Sequence, residues 1–191
     1  MWVVIILFFV GDLRTNECFL VEDTMHTKIG IIMGSESDFE TMNEAVNVLK
    51  DFGVAFNVNV ISAHRSPDLV HAYARDAERK YTAIIVGAGG AAHLAGVVAS
   101  LTPIPVIGVP MATSVSGGLD SLLSTVQMPS GVPVATMGIG KAGATNAAIL
   151  AIQIASVADQ ELRQKIMLHK KRLSDEVAKK DENVRAKLGL L

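Results

Sequence analysis

From Lys28 onward the chain alternates short, β-branched apolar runs with longer segments whose apolar residues recur at helical spacing. KIGIIM (28–33), AFNVNVIS (55–62), TAIIVGA (82–88), PVIGVP (105–110) and VPVATMGI (132–139) read as strands. Helices are predicted over 38–52, over 67–80 with Pro67 at the first position, from about 91 to 101, over 118–127 and over 142–158. A last helix, charged throughout, is predicted over 159–187. Regular strand–helix alternation builds a parallel sheet with helices on both faces. Five strands make this a flavodoxin-like three-layer αβα sandwich rather than a six-stranded dinucleotide-binding fold.

The pattern predicts one domain over 26–187, with 159–187 as a C-terminal helical extension packing on a neighbouring subunit. Residues 1–25 stand apart. Trp2–Val10 is the longest apolar run, nine residues, too short to cross a bilayer, and it lacks a basic leader because the first basic residue is Arg14. The GDLRTNECFLVEDT that follows has no clear period and is succeeded by Met25. The segment reads as an upstream extension; the alternative is a terminal element docked on a neighbour. No transmembrane segment is expected.

Composition sharpens this picture. The 191 residues are 50% apolar and 19% charged, with 17 basic and 19 acidic side chains and a net charge of −2. A nucleic-acid binder working by phosphate neutralisation would need a basic excess, so that class is set aside. The single cysteine, Cys18, excludes a disulfide framework and a cysteine-built zinc site, and a reducing, cytoplasmic setting follows. Between Tyr81 and Ala158 the only Asp, Glu, Lys or Arg residues are Asp120 and Lys141. A buried parallel sheet explains part of that gap, but its helices should still carry a charged outer stripe, and Ala142–Ala158 has none. Cover by other copies of the chain, in a closed homo-oligomer, is expected.

In open parallel sheets ligands sit beyond the carboxyl ends of the strands, and three polar or glycine-rich loops follow strands one to three here. Gly34-Ser35-Glu36-Ser37-Asp38 opens a helix, so its amides and the Ser35 hydroxyl suit a phosphate and Asp38 suits ribose hydroxyls; equally, Ser37 or Asp38 caps the helix. Ser62-Ala63-His64-Arg65-Ser66-Pro67 places an imidazole, fit for moving protons near neutral pH, beside a guanidinium that can grip a phosphate or carboxylate. Gly87-Ala88-Gly89-Gly90-Ala91-Ala92-His93, running on into Leu94, allows close backbone approach to a small ligand; His93 lines that pocket or packs its helix.

Two glycine patterns imitate the dinucleotide fingerprint, Gly87-x-Gly89-x-x-Ala92 and Gly138-x-Gly140-x-x-Gly143, but both follow the wrong strands and neither has a well-placed acidic partner. Triphosphate, zinc-protease and acyl-enzyme motifs are absent. His71 and His169 fall on helices, where surface or packing roles are the default, and His26 is too near the start to place. These residues describe a site free of metal and cofactor, with an anion cradle, a histidine and an arginine.

MGSESD (33–38), SAHRSP (62–67), GAGGAAHLAG (87–96), GLDSLLSTVQMPSGVPVAT (118–136) and AGATNAAILA (142–151) resemble, in order, the motifs of the PurE family of purine biosynthesis, 5-(carboxyamino)imidazole ribonucleotide mutases. The resemblance runs from about Lys28 to Val184. It implies an octamer and a reaction that moves a carboxylate from the exocyclic nitrogen of an imidazole ribonucleotide to the adjacent ring carbon, without metal, biotin or ATP. It implies that Ser35, Asp38 and Arg65 bind the ribose phosphate, that His64 is the acid and base, and that Ser62, Gly89, Ala92, His93 and Leu94 contribute to the substrate pocket. One residue departs from the family pattern: Ala95 stands where HLPG has proline, which should loosen the start of that helix by roughly 0.5–1 kcal/mol. Two rivals remain: a sister carboxylase that uses carbon dioxide directly, which GAGGAAHL resembles less, and a non-catalytic nucleotide-binding module, which the whole SAHRSP motif disfavours.

Overall fold

Strand alternation sorts the central side chains onto two faces. In β1 (Lys28–Met33), Ile29, Ile31 and Met33 point into one apolar core, and Ile32 points into the other. β3 (Ala83–Ala88) divides in the same way, Ile85 to the first core, Ile84 and Val86 to the second. A computed structural model describes residues 27–190. The extension read over 1–25, with Arg14, Cys18 and Met25, and also His26, lies outside the described residues.

The sheet has five parallel strands in the order β2-β1-β3-β4-β5, with β2 at Ala55–Val60, β4 at Val106–Pro110 and β5 at Ala135–Thr136. This is the flavodoxin-like order, with its crevice between β1 and β3. The register matters for function. Met33 pairs with Val60 and with Gly87, and Ala88 pairs with Pro110, so the strands end level. Ile61 N–H donating to Met33 O (2.9 Å), Gly34 N–H to Gly87 O (3.1 Å) and Met111 N–H to Ala88 O (2.9 Å) carry the ladders one step into the loops.

α1 (Phe39–Phe52) and α5 (Lys141–Ala155) cover the first core together with the start of α6 (Gln160–Lys187). α2 (Pro67–Asp76) and α3 (Leu94–Ala99) cover the second, and α4 (Leu119–Val126) lies beside β4 and β5. In α5 the inner face, Gly143, Ala144, Ala147, Ala148, Ala151, Ile152 and Ala155, is buried against α1, α6 and the sheet. Its outer residues Thr145, Asn146, Ile149, Leu150, Gln153 and Ile154 are exposed or part-exposed and carry no charge. Further uncharged residues are bare at and before α4, where Val115, Leu119, Leu123 and Val126 are each about half exposed.

Several boundaries differ from the pattern, among them those of β5, α3 and β2. β5 has two residues instead of eight, because Pro133 cannot donate to a ladder and Gly131, at φ 94°, turns the chain just before it. α3 starts at Leu94, because Gly90 adopts φ 67° and the chain then makes tight turns, Ala92 N–H to Gly90 O and His93 N–H to Ala91 O, both 2.8 Å. β2 stops at Val60 and lies on the sheet edge, largely exposed.

Ala95 is the second residue of α3 and buried. A first-turn N–H has no intrahelical acceptor, so proline fits there. Ala95→Pro is expected to stabilise the fold by about 0.4–1 kcal/mol, read as a rise of about 2–4 °C in a thermal melt.

α6 opens with Asp159 Oδ1 accepting the N–H groups of Glu161 (2.9 Å) and Leu162 (3.0 Å). Leu162 and Ile166 anchor it in the core, after which every described residue except His169 is exposed. Leu173 and Val177, then Val184 and Leu188, repeat those two anchors at eleven-residue intervals, so the apolar stripe continues along one face beyond the body of the chain. None of the described helices is long and apolar enough to cross a membrane.

Candidate active site

Because the strands end level, four loops meet at the carboxyl ends of the strands and line a cavity of about 590 Å³. The first loop is held by its own polar groups. Ser35 N–H donates to Asp38 Oδ2 (3.2 Å), Ser37 N–H to Ser35 Oγ (3.4 Å) and Ser37 Oγ–H to Ser35 Oγ (2.9 Å), forming a capping box ahead of α1. Ser35, Ser37 and Asp38 line the cavity as well, so capping and facing a ligand are not exclusive here. Burial pushes the Asp38 carboxyl above its ordinary range, and the Ser35 N–H works against that shift. A carboxylate so placed favours hydroxyl donors over a second anion.

In the second loop Ser62 and Ser66 lock each other. Ser62 N–H donates to Ser66 Oγ (3.1 Å), and Ser66 Oγ–H donates back to Ser62 O (3.0 Å). Arg65 N–H donates to Ser62 Oγ (3.3 Å). This fixed turn carries His64 and Arg65 outward into the cavity, where Arg65 Nη2 also reaches Gly34 O of the first loop at 3.4 Å. The third loop is braced from α4, with Gly90 N–H donating to Ser121 Oγ (2.9 Å) and Ser124 Oγ–H to Gly90 O (3.3 Å). It presents Gly89, Ala91, His93 and Leu94 to the cavity. His93 Nδ1 lies 3.0 Å from His64 Nε2.

Thus Ser35, Asp38, Ser62, His64, Arg65, Gly89, His93 and Leu94 come together, while Ala92 sits in the same loop with its side chain buried rather than on the cavity wall. A fourth wall, Met111, Ala112 and Thr113, was not read from the sequence. Its signal was available: it follows β4, which the strand order sets next to β3. Thr113 Oγ1–H donates to Asp120 Oδ1 (2.6 Å), which ties this loop to α4 and holds the Asp120 carboxyl below its usual range. Gly138-x-Gly140-x-x-Gly143 lies away from the cavity and serves backbone packing, since a Cβ on Gly143 would fall 1.6 Å from Gly138 O. Among the described residues no three His, Cys, Asp or Glu side chains gather as a metal-binding group.

The cavity therefore combines a guanidinium and a helix-opening loop suited to a phosphate, a carboxylate suited to hydroxyls, two imidazoles in contact, and small apolar walls from Ala63, Ala88 and Ala91. The family model described as AIR carboxylase matches residues 28–176, which include all four loops. The chain belongs to the AIR carboxylase family. Within that family it is similar to proteins named N5-carboxyaminoimidazole ribonucleotide mutase. It is 59% identical to that of Pyrococcus abyssi over 140 residues, 73% of this chain and 79% of the relative. It is 49% identical to that of Mycobacterium leprae over 169 residues, 88% and 98%. The Bacillus subtilis protein is 54% identical over 143 residues, 74% and 88%. A solved structure, that of Treponema denticola PurE, superposes with a TM-score of 0.76 at 25% identity, covering 83% of this chain and 99% of that one.

Proposed function

We propose that the chain is an N5-carboxyaminoimidazole ribonucleotide mutase of purine biosynthesis, an isomerase that moves a carboxylate from the exocyclic nitrogen of its substrate to the neighbouring ring carbon. The observation that carries this reading is identity of 49–59% to relatives of that name over 73–88% of the chain. The cavity supports it, because His64, Arg65 and the Ser35–Asp38 loop face one space of about 590 Å³, large enough for a mononucleotide.

In this mechanism Arg65 and the loop amides hold the phosphate and Asp38 accepts from ribose hydroxyls. Ser62, Gly89, His93 and Leu94 wall the imidazole. His64 gives a proton to the carbamate nitrogen, and carbon dioxide leaves but stays between the alanine walls. The nucleophilic ring carbon then attacks it, and His64 takes the ring proton. Holding both fragments side by side replaces a bimolecular encounter with a proximity step. Arg65→Met tests the phosphate assignment. Loss of a charge-assisted bond of about 1.5–3 kcal/mol predicts a KM raised about 10- to 100-fold with kcat much less affected. Unchanged KM in steady-state kinetics would remove Arg65 from the cradle.

The family description favours a second reading, direct carboxylation of aminoimidazole ribonucleotide. An ATP-free ultraviolet assay with each nucleotide separates the two.

The enzyme is further read as a cytoplasmic homo-oligomer, an octamer by its resemblance. The half-exposed Leu119, Leu123 and Val126 on α4 support this, as does the bare stripe Leu173, Val177, Val184 and Leu188, which would seat α6 on a neighbour. Most helical stability in proteins comes from packing an amphipathic face, and that stripe is the face a neighbour would cover. Sedimentation at micromolar concentration is expected to show a single assembly near eight subunits, and a 20.2 kDa monomer would contradict it.

A further inference from the structure

The mechanism uses one imidazole of a touching pair. His64 Nε2 and His93 Nδ1 are 3.0 Å apart, with ring centroids 5.1 Å apart and planes at 81°. The rings come from loops after β2 and β3, and both line the cavity. Among the described residues neither ring has another hydrogen-bond partner. An N···N contact of this kind holds one proton, and whichever ring supplies it fixes the tautomer of both.

The reaction selects between the two arrangements. The substrate loses one proton from its ring carbon and gains one on its exocyclic nitrogen, so the acid–base group gives and regains a proton at a single atom. If His93 donated through Nδ1, His64 Nε2 would only accept. A neutral His64 would then carry its sole proton on Nδ1, and releasing it would leave an imidazolate. If His64 donates through Nε2 instead, it keeps that proton throughout and exchanges the other at Nδ1, passing between imidazolium and neutral imidazole.

We propose that His93 is a positioning residue whose Nδ1 accepts the Nε2–H of His64, which makes Nδ1 of His64 the atom that exchanges protons with substrate. This rests on the mutase reading above. As the carbamate N–C bond breaks, its electron pair stays on nitrogen and takes the proton from Nδ1, and carbon dioxide departs. The ring carbon then forms its bond to that carbon dioxide, and the proton it sheds returns to Nδ1. His93 stays neutral, with its own proton on Nε2, and supports the imidazolium as an acceptor, as an orienting group does for other catalytic imidazoles.

His93→Leu removes the acceptor, and His93→Asn restores an amide oxygen near the position of Nδ1. In His93→Leu, saturating kcat is expected to fall by about 30-fold, less than the roughly 100- to 10,000-fold that a positioned acid–base group itself supplies, because His64 remains and only its support is lost. Leucine keeps a side chain on the wall that residue 93 gives the pocket, so product affinity, which also reports a folded pocket, falls much less than kcat, and His93→Asn recovers about tenfold of the lost kcat. The role is overturned by normal kcat in His93→Leu, by an Asn variant no better than Leu, or by product affinity that falls in step with kcat. A second readout needs no turnover. In ¹⁵N-histidine spectra, with His64 assigned by its loss in His64→Asn, neutral His64 should be protonated at Nε2 and bare at Nδ1. The opposite tautomer overturns the proposal. A wild-type enzyme inactive on the N-carboxylated nucleotide would instead sink the mutase reading, with the spectrum still deciding the role of His93.

Discussion

His64→Asn is expected to lower kcat by about a thousandfold, inside the span attributed to positioned acid–base groups, while product affinity stays near that of the parent enzyme. The reason lies in what the pocket keeps. Asparagine is close to the size of imidazole and can still hydrogen-bond toward His93, 3.0 Å away in the parent. The loop that carries residue 64 is held by Ser62 and Ser66 at 3.0–3.1 Å, not by the imidazole. Arg65 keeps its reach to Gly34 O at 3.4 Å. Binding groups are thus untouched, and the amide has no proton to exchange near neutral pH. Loss of kcat alone is the signature of an interaction made in the transition state. A variant with near-normal turnover would show that the proton moves through some other group.

Gly143→Ala is expected to cost about 3 kcal/mol or more, placing it among the severe single substitutions. The added Cβ would lie 1.6 Å from Gly138 O and 2.6 Å from Gly138 C, both backbone atoms of the turn between β5 and α5. No side chain can swing away to relieve that overlap, so either the turn opens or the first turn of α5 lifts. α5 is the helix packed between α1 and the sheet, and residues from Ala144 to Ala155 bury its inner face. A thermal melt should show a fall of about 10 °C or more. Gly138→Ala is the matched control: its Cβ would meet nothing within 4 Å, so it should stay within about 1 kcal/mol of the parent. Equal stability of both variants with the parent would mean that this turn does not constrain the start of α5.

Much of the architecture was legible because its signals are local. Isoleucine-rich runs without charge, such as Ile29–Ile32, mark buried parallel strands, and Pro67 marks a helix start. The three loops after β1, β2 and β3 followed from one rule about strand ends, and seven of the residues read from them for the pocket, with Leu94 just beyond, border a single cavity. The failures needed facts that only packing supplies. Pro133 and Gly131 were visible, yet an apolar run of eight residues outweighed them until the edge position of β5 was known. The Met111–Thr113 wall was missed because the place of β4 beside β3 sets it at the crevice, and adjacency is not written along the chain. Ala92 looked like its neighbours, but the Gly90 turn sends its side chain inward. The missing charge on α5 covers both a face buried within the chain and an outer face that is part-exposed, and the sequence does not separate the two.

The contact between His64 and His93 shows a different limit. Each histidine was identifiable by its loop, but 29 residues separate them, and only the level strand ends bring the rings together.

The most direct test of the account is a paired ultraviolet assay without ATP that follows formation of the ring-carboxylated nucleotide. One cuvette holds the N-carboxylated nucleotide, the other aminoimidazole ribonucleotide with bicarbonate. Rapid product from the first, with the second requiring very high bicarbonate, is the result expected of a mutase. Efficient product in the second and none in the first would contradict it and leave a carboxylase.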